Sequence, residues 1–375
     1  FEECNGTVNP TLGIELGKTI RFLQEGQTNW MHPLGFAYFP DGAHEEVDEL
    51  EPGIPPPGAA DQSCADDNSC PAPMYFVGGE YVGTYSNNPT IEGTPGDDNF
   101  GLDDYEPLFF RPPAEWTELG PFEVDLLFPE MEGFSGDIFY FCHIHNFMSG
   151  RIKLLKDDEA LQPILNVPEI DYEVAQPSQY DATCGTFGLD VWQLPHPQCP
   201  AQFVCGVPED NPEMEQFSDC IDSMNCHMFA GMTTGVKAEN QAALFLHQMI
   251  PHHQNAVNMA KALLKTDIVQ CDDLTEETDD CAMKIILLEI VNTQNHQIQT
   301  MKGLLEGYGF PPKDACIVEI TSDADFTFDA DPPETIPPFN DEKSGDEGND
   351  GDGSDAQSCV SPGLLAAAGA VLAAL

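Results

Sequence analysis

The chain has 375 residues, with 65 acidic side chains against 13 basic ones and a formal net charge of −52 at pH 7. A surface of that sign repels phosphate, which excludes nucleic acid as a default partner and disfavours anionic membrane surfaces. It attracts cations and stays soluble in high salt, and the length allows two domains with cores of their own.

Residues 1–160 read as β-structure. The runs VDLLFPEM and DIFYFCHI carry β-branched and aromatic residues broken by Gly and Pro, and SGRIKLLK follows as a returning strand. Within this part, residues 41–113 are crowded with Pro, Gly, Asp and Glu and read as an insertion, pinned by Cys64 and Cys70. Asn5-Gly6-Thr7 is a glycosylation sequon. The chain begins at Phe1, as expected of a protein whose leader has been removed or of a piece of a longer one.

Residues 161–215 are rich in Pro and Cys, show no period and read as a linker. Residues 216–312 read as a helical domain, either a hairpin or a bundle. From Lys237 to Lys265, apolar residues recur at Phe245, Leu246, Met249, Ile250, Val257, Ala260, Leu263 and Leu264, close to helical spacing. A second helix is predicted from about Asp280 to Glu306, with Ile286, Ile290, Ile298, Met301 and Leu305 on one side. The loop Thr266–Asp279 lets the two return antiparallel. Residues 313–358 form an acidic tail too poor in apolar side chains to order itself. The last stretch, residues 359–375, is apolar but too short to span a bilayer comfortably. Small residues near Gly353 and Ser354, a polar spacer and this tail together resemble a GPI-attachment signal.

Thirteen cysteines point to an oxidising, extracellular compartment. Cys64/Cys70, Cys199/Cys205, Cys220/Cys226 and Cys271/Cys281 lie close in sequence and suggest local disulfides, although spacing leaves the connectivity open. The count is odd, which fits one cysteine reserved for a metal.

That cysteine is Cys142. The segment YFCHIHNFMSG, Tyr140–Gly150, places Cys142, His145 and Met148 in one loop. A thiolate, an imidazole and a thioether are three of the four groups of a blue-copper electron-transfer site. The fourth is a second imidazole. His32 is the best candidate, because Pro33 restricts it to extended backbone, and His44 is the fallback. His143 is expected at the surface near the site. His143-Ile144-His145 is the chain's one His-x-His pair, too few for an oxygen-reducing copper cluster.

This region resembles the cupredoxins: FCHIHNFMSGRI has the amicyanin-type order of Cys, two residues, His, two residues, Met, then Gly and a strand. The resemblance implies an all-β Greek-key sandwich with His32, Cys142, His145 and Met148 as copper ligands. The span between His32 and Cys142 is longer than is usual in that family.

The helical part carries a second signature. In MIPHHQNAVNMA, helical spacing lets Met249 share a face with His252 or His253, and puts Met259 two turns beyond His252. Pro251 should kink the helix there. The facing helix carries Gln294, Gln297 and Met301. Upstream, Met224, Met228 and Met232 recur every four residues with His227 among them. Thioethers and imidazoles suit cuprous copper, although methionines at this spacing are also what a packed helical core contains. The pieces FLHQMIPHHQNAVNMAKALL and VNTQNHQIQTMKGLLEGYG resemble the family called domain of unknown function 305, over roughly residues 220–310. That resemblance implies a small ferritin-like bundle and metal binding by Met249, His252, His253, Met259 and Met301. Met224, His227, Met228 and Met232 form a further candidate set.

The sequence therefore predicts a multidomain protein, β-sandwich then helices, secreted or at the cell surface, where a GPI anchor could hold it. It is expected to bind copper and pass electrons to a protein partner that the sequence does not identify. Copper capture, buffering or tolerance is the expected role rather than catalysis. Two other readings are a surface oxidase of cuprous or ferrous ions and a wall protein whose cupredoxin fold has lost its metal.

Overall fold

The computed structural model describes residues 9–45, 48–84, 100–161, 168–170, 172, 176–200, 202–205, 207, 210–233 and 240–311. These all belong to one compact unit, Phe1–Ile320. The sequon at Asn5, the acidic tail and the apolar C-terminal stretch lie outside the described residues.

Among the described residues nine strands make two sheets. β1 (Leu12–Glu15), β8 (Ser149–Lys156), β7 (Ile138–Cys142) and β3 (Leu34–Ala37) lie side by side in that order, and β9 (Glu159–Ala160) pairs with β8. The second sheet runs β2 (Thr19–Gln24), β6 (Phe122–Leu127), β4 (Met74–Val77) and β5 (Glu80–Gly83). β1 is parallel to β8, and the other pairs are antiparallel. Both sheets contribute to one core. Phe122, Val124 and Leu126 alternate along β6 and are fully buried there, as period-2 geometry requires of a sheet covered on one face. Every residue of β7 is buried. Ile138, Tyr140 and Cys142 join the shared core. Phe139 lies under the Arg151 guanidinium, and Phe141 against the His143 ring.

The stretch read as an insertion supplies β4, β5 and two short helices, α1 (Cys64–Asp67) and α2 (Leu102–Tyr105), and leads into α3 (Pro113–Leu119). It buries Tyr75, Tyr105 and Phe109, and Trp116 of α3 is buried beside them, stacked parallel on Phe122 at 5.0 Å. The stretch is thus part of the β-core.

The helices are α4 (Gln179–Cys184), α5 (Pro212–Thr233), α6 (Gln241–Lys265) and α7 (Asp279–Gly307). α6 starts where the Asn240 side chain accepts from Ala242 N–H, and α7 where the Thr278 hydroxyl accepts from Cys281 N–H. Both are N-caps that satisfy otherwise orphaned donors. Asp279 and Asp280 add favourable charge to the first turn of α7. α6 buries Ala243, Leu246, Val257 and Ala260. Phe245, one position from Leu246 and so about 100° around the helix, is 59 % exposed. Ile286 on α7 is likewise exposed, although the sequence placed both on apolar stripes. Among the described residues no helix is long and apolar enough to cross a membrane.

Among the described residues four disulfides are formed: Cys64–Cys70, Cys271–Cys281, Cys184–Cys220 and Cys199–Cys226. The first two are the local pairs that spacing suggests. Cys199 and Cys220 do not take their nearest neighbours. They instead staple the segment read as a linker onto α5. Two cysteines are free among the described residues, Cys142 buried and Cys205 exposed.

Candidate metal centre

β7 ends at Cys142, and the loop to β8 turns back at once, with Cys142 N–H donating to the Met148 carbonyl at 3.2 Å. β3 pairs with β7 so that Leu34 lies opposite Cys142. This pairing brings His32, just before β3, to the same end of the sheet. Two non-glycine residues in left-handed backbone, Met31 (φ 61°) and Phe147 (φ 60°), flank His32 and Met148. Such conformations persist where the surroundings over-determine them, and they cluster at functional sites.

The Sγ of Cys142 lies 3.5 Å from His32 Nδ1 and 3.6 Å from His145 Nδ1. The two imidazole centroids are 4.7 Å apart. His145 N–H also points at the sulfur, at 3.4 Å. A sulfur and a nitrogen held by one borderline dication at about 2.3 and 2.0–2.1 Å, at tetrahedral to trigonal angles, are separated by about 3.5–3.8 Å. The observed spacings fit a shared ion, and one thiol with two imidazoles is a donor set suited to copper.

The site is dry. Cys142 and His145 are buried, and His32 is half-buried. Burial pushes the Cys142 thiol up to about 12. Burial, with a smaller effect of His145, takes His32 down to about 3, and burial takes His145 down to about 4. At neutral pH the three groups are therefore all uncharged, and a cation entering them meets two ready lone pairs and one thiol that must lose its proton.

Of the four sequence-predicted β-site residues, His32, Cys142 and His145 converge. Met148 closes the loop through its backbone, and its side chain is 38 % exposed. The fallback His44 lies behind the strand instead, its Nε2–H donating to the Cys142 carbonyl at 2.8 Å. His143 is not at the surface. Its side chain is buried, with Nε2 3.9 Å from a Glu49 carboxylate oxygen. A Cβ on Gly35 of β3 would sit 2.1 Å from that Nε2, so glycine is what makes room for the ring.

Helix α7 completes the centre, and the sequence gives no hint of this. His145 Nε2–H donates to the Asn292 carbonyl at 3.1 Å, and His296 Nδ1–H to the Ile144 carbonyl at 3.2 Å. Asn146 N–H donates to Gln299 Oε1 at 3.1 Å. Since a carbonyl can only accept, these bonds fix which ring nitrogen carries the proton. Leu288, Leu274 and the Cys271–Cys281 bridge extend the same apolar core under the helix.

The helical candidates are spread between core and surface. Met301 is buried with Ile298, Leu305, Leu246 and Val257, and Met249 packs against that cluster. His252 and Met259 face solvent, and Asn255 Nδ2 donates to the Met259 sulfur at 3.6 Å. His253 is half-buried and its Nδ1, though buried, has no hydrogen-bond partner. The rings of His252 and His253 are 5.9 Å apart. Gln294 Oε1 is also buried without a partner, whereas Gln297 is exposed. Met224 is fully buried among Cys184, Leu189, Cys220 and Ala262, while Met228 and Met232 are half-buried. The His227 ring packs on Trp192 at 5.3 Å. A gathering that sequence reasoning missed, His196 with Cys199 and Cys226, has both sulfurs joined in a disulfide.

The family described as Domain of unknown function (DUF305) matches residues 207–305 and 243–366. This agrees with the resemblance carried by the two helical sequence pieces. No curated protein matches the chain, and no solved structure does.

Proposed function

We propose that this chain is an extracellular copper protein whose β-region holds one redox-active copper at His32, Cys142 and His145, with Met148 as a weak fourth ligand. In this reading the two sheets form a cupredoxin-like Greek-key sandwich. The observation that carries it is the placing of one buried sulfur almost equally far from two Nδ1 atoms. Copper supplies one-electron chemistry to such a site. The chain's own residues supply a dry pocket and preset imidazoles, together with a thiol that yields one proton as the ion binds.

The same reading assigns the helical region to additional, cuprous copper held by methionine and histidine, with His252 and His253 as its accessible part. The net charge of −52 concentrates cations around the molecule, which suits copper capture, buffering or tolerance. The four disulfides suit an oxidising compartment, and glycosylation at Asn5 and GPI anchoring belong to the same proposal. Loading the full chain with cupric ion tests it. The expected result is an intense visible thiolate-to-copper absorption that Cys142→Ser removes. No such band, or a band that survives Cys142→Ser, overturns the β-site assignment.

A further inference from the structure

Asn292 is buried in the middle of α7. A buried amide in a helix interior needs polar partners, and those of Asn292 belong to the segments that form the metal centre. Its backbone oxygen accepts from His145 Nε2–H at 3.1 Å. Its Nδ2 donates to the Trp30 carbonyl at 3.0 Å, two residues before His32. His32 Nδ1 faces the Cys142 sulfur, so the bond to Trp30 holds the segment that carries a ring already turned to the site.

Resting on the reading of Cys142, His32 and His145 as copper ligands, we infer that Asn292 is the positioning residue of both imidazoles. Its carbonyl fixes the His145 ring with the proton on Nε2, and its side-chain amide anchors the segment that carries His32. The ligand loop is gripped on either side of His145 by the same helix, through His296 to Ile144 and Gln299 to Asn146. The helical region is thus the outer wall of the β-region's metal centre. Partners of this kind set ligand basicity and orientation, and losing one typically costs about 10–100-fold in metal affinity.

Nitrogen-15 NMR of the metal-free full chain reads the ring tautomer without copper. His145 should carry its proton on Nε2 at neutral pH, because the Asn292 carbonyl can only accept. Asn292→Leu keeps the side-chain volume and removes the amide, so the Trp30 carbonyl loses its donor. It should leave the His145 tautomer in place, since that bond uses the backbone, shift the His32 ring signals and weaken copper binding by about 10–100-fold. Asn292→Ala removes the same amide with a smaller side chain and should act alike. Leu304→Ala, exposed on the same helix, should change none of these. If Asn292→Leu does not fold, the wild-type tautomer and Asn292→Ala decide the matter. A proton on Nδ1 of His145 in the wild type overturns the inference, and so does wild-type copper affinity in either folded variant. A wild type with the tautomer as described but no visible band on cupric loading would overturn the copper reading while leaving the hydrogen bonds in place.

Discussion

His145 and Asn292 are 147 positions apart in the chain, yet the imidazole Nε2 of one lies 3.1 Å from the backbone oxygen of the other. The contact makes the helical region a part of the β-region's site. The hold should be measurable away from Asn292. Gln299 accepts from Asn146 N–H inside the Cys142–Met148 loop. Gln299→Ala should cost about 1 kcal/mol of stability, the usual net value of one such bond. Hydrogen exchange should show the Asn146 amide losing protection, and equilibrium denaturation gives the energy.

Glu49 makes stability depend on pH. Its carboxyl is raised from 4.5 to about 8, first by burial and then by the charges of Glu51 and Glu106. The His143 ring is the imidazole facing it. A carboxyl raised on folding binds more protons in the native than in the unfolded state between those two values. Stability contributed below the unfolded value is therefore lost as pH rises from 4.5 to about 8. The loss is at most about 1.4 kcal/mol per pH unit. His32 and His145 act oppositely at lower pH, since native rings depressed to about 3 and about 4 destabilise the fold as pH falls below 6.5. Glu49→Gln should thus equal the wild type near pH 4.5 and exceed it in stability by pH 8, as thermal melts across that range would show.

Gly35→Ala puts a methyl group where the His143 ring now sits, 2.1 Å from Nε2. The neighbour is a buried ring next to Cys142, so it cannot swing into solvent. We expect a loss of about 1–3 kcal/mol, the usual range for overpacking. Cys142, at the end of the paired strand β7 and next to the displaced ring, should become more reactive toward thiol reagents. Unchanged stability and thiol reactivity would contradict the packing described here.

The disulfide pairing separates what spacing suggests from what the fold imposes. Peptide mapping should recover Cys199 joined to Cys226 and Cys184 joined to Cys220. Cys226→Ser should cost about 2–5 kcal/mol. Cys205→Ser should cost almost nothing, since that thiol is exposed and free. A Cys199–Cys205 peptide would contradict the structure.

Local pattern accounts for the parts of the site that were legible in the sequence. Cys142, His145 and Met148 sit in one short loop, and the two long helices announced themselves by their apolar spacing. His32 could be chosen because Pro33 fixes its backbone, but only the β3–β7 register shows that its ring reaches the sulfur. The partners of the site were hidden, because nothing near His145 in the chain points to Asn292 or Gln299. Periodicity also cannot tell a ligand from packing. Met224 and Met301 recur at helical spacing and are core side chains, whereas His252 and Met259 on similar spacing face water. His143 was expected at the surface near the site, and its side chain is buried. A glycine on the neighbouring strand, Gly35, lets it in.

X-ray absorption fine structure at the copper edge of the full chain carrying one cupric ion tests the central claim most directly. The account predicts one short copper–sulfur scatterer with two imidazole nitrogens, and replacement of that sulfur by a lighter scatterer in Cys142→Ser. A first shell of oxygen and nitrogen alone, or one unchanged by Cys142→Ser, would contradict it.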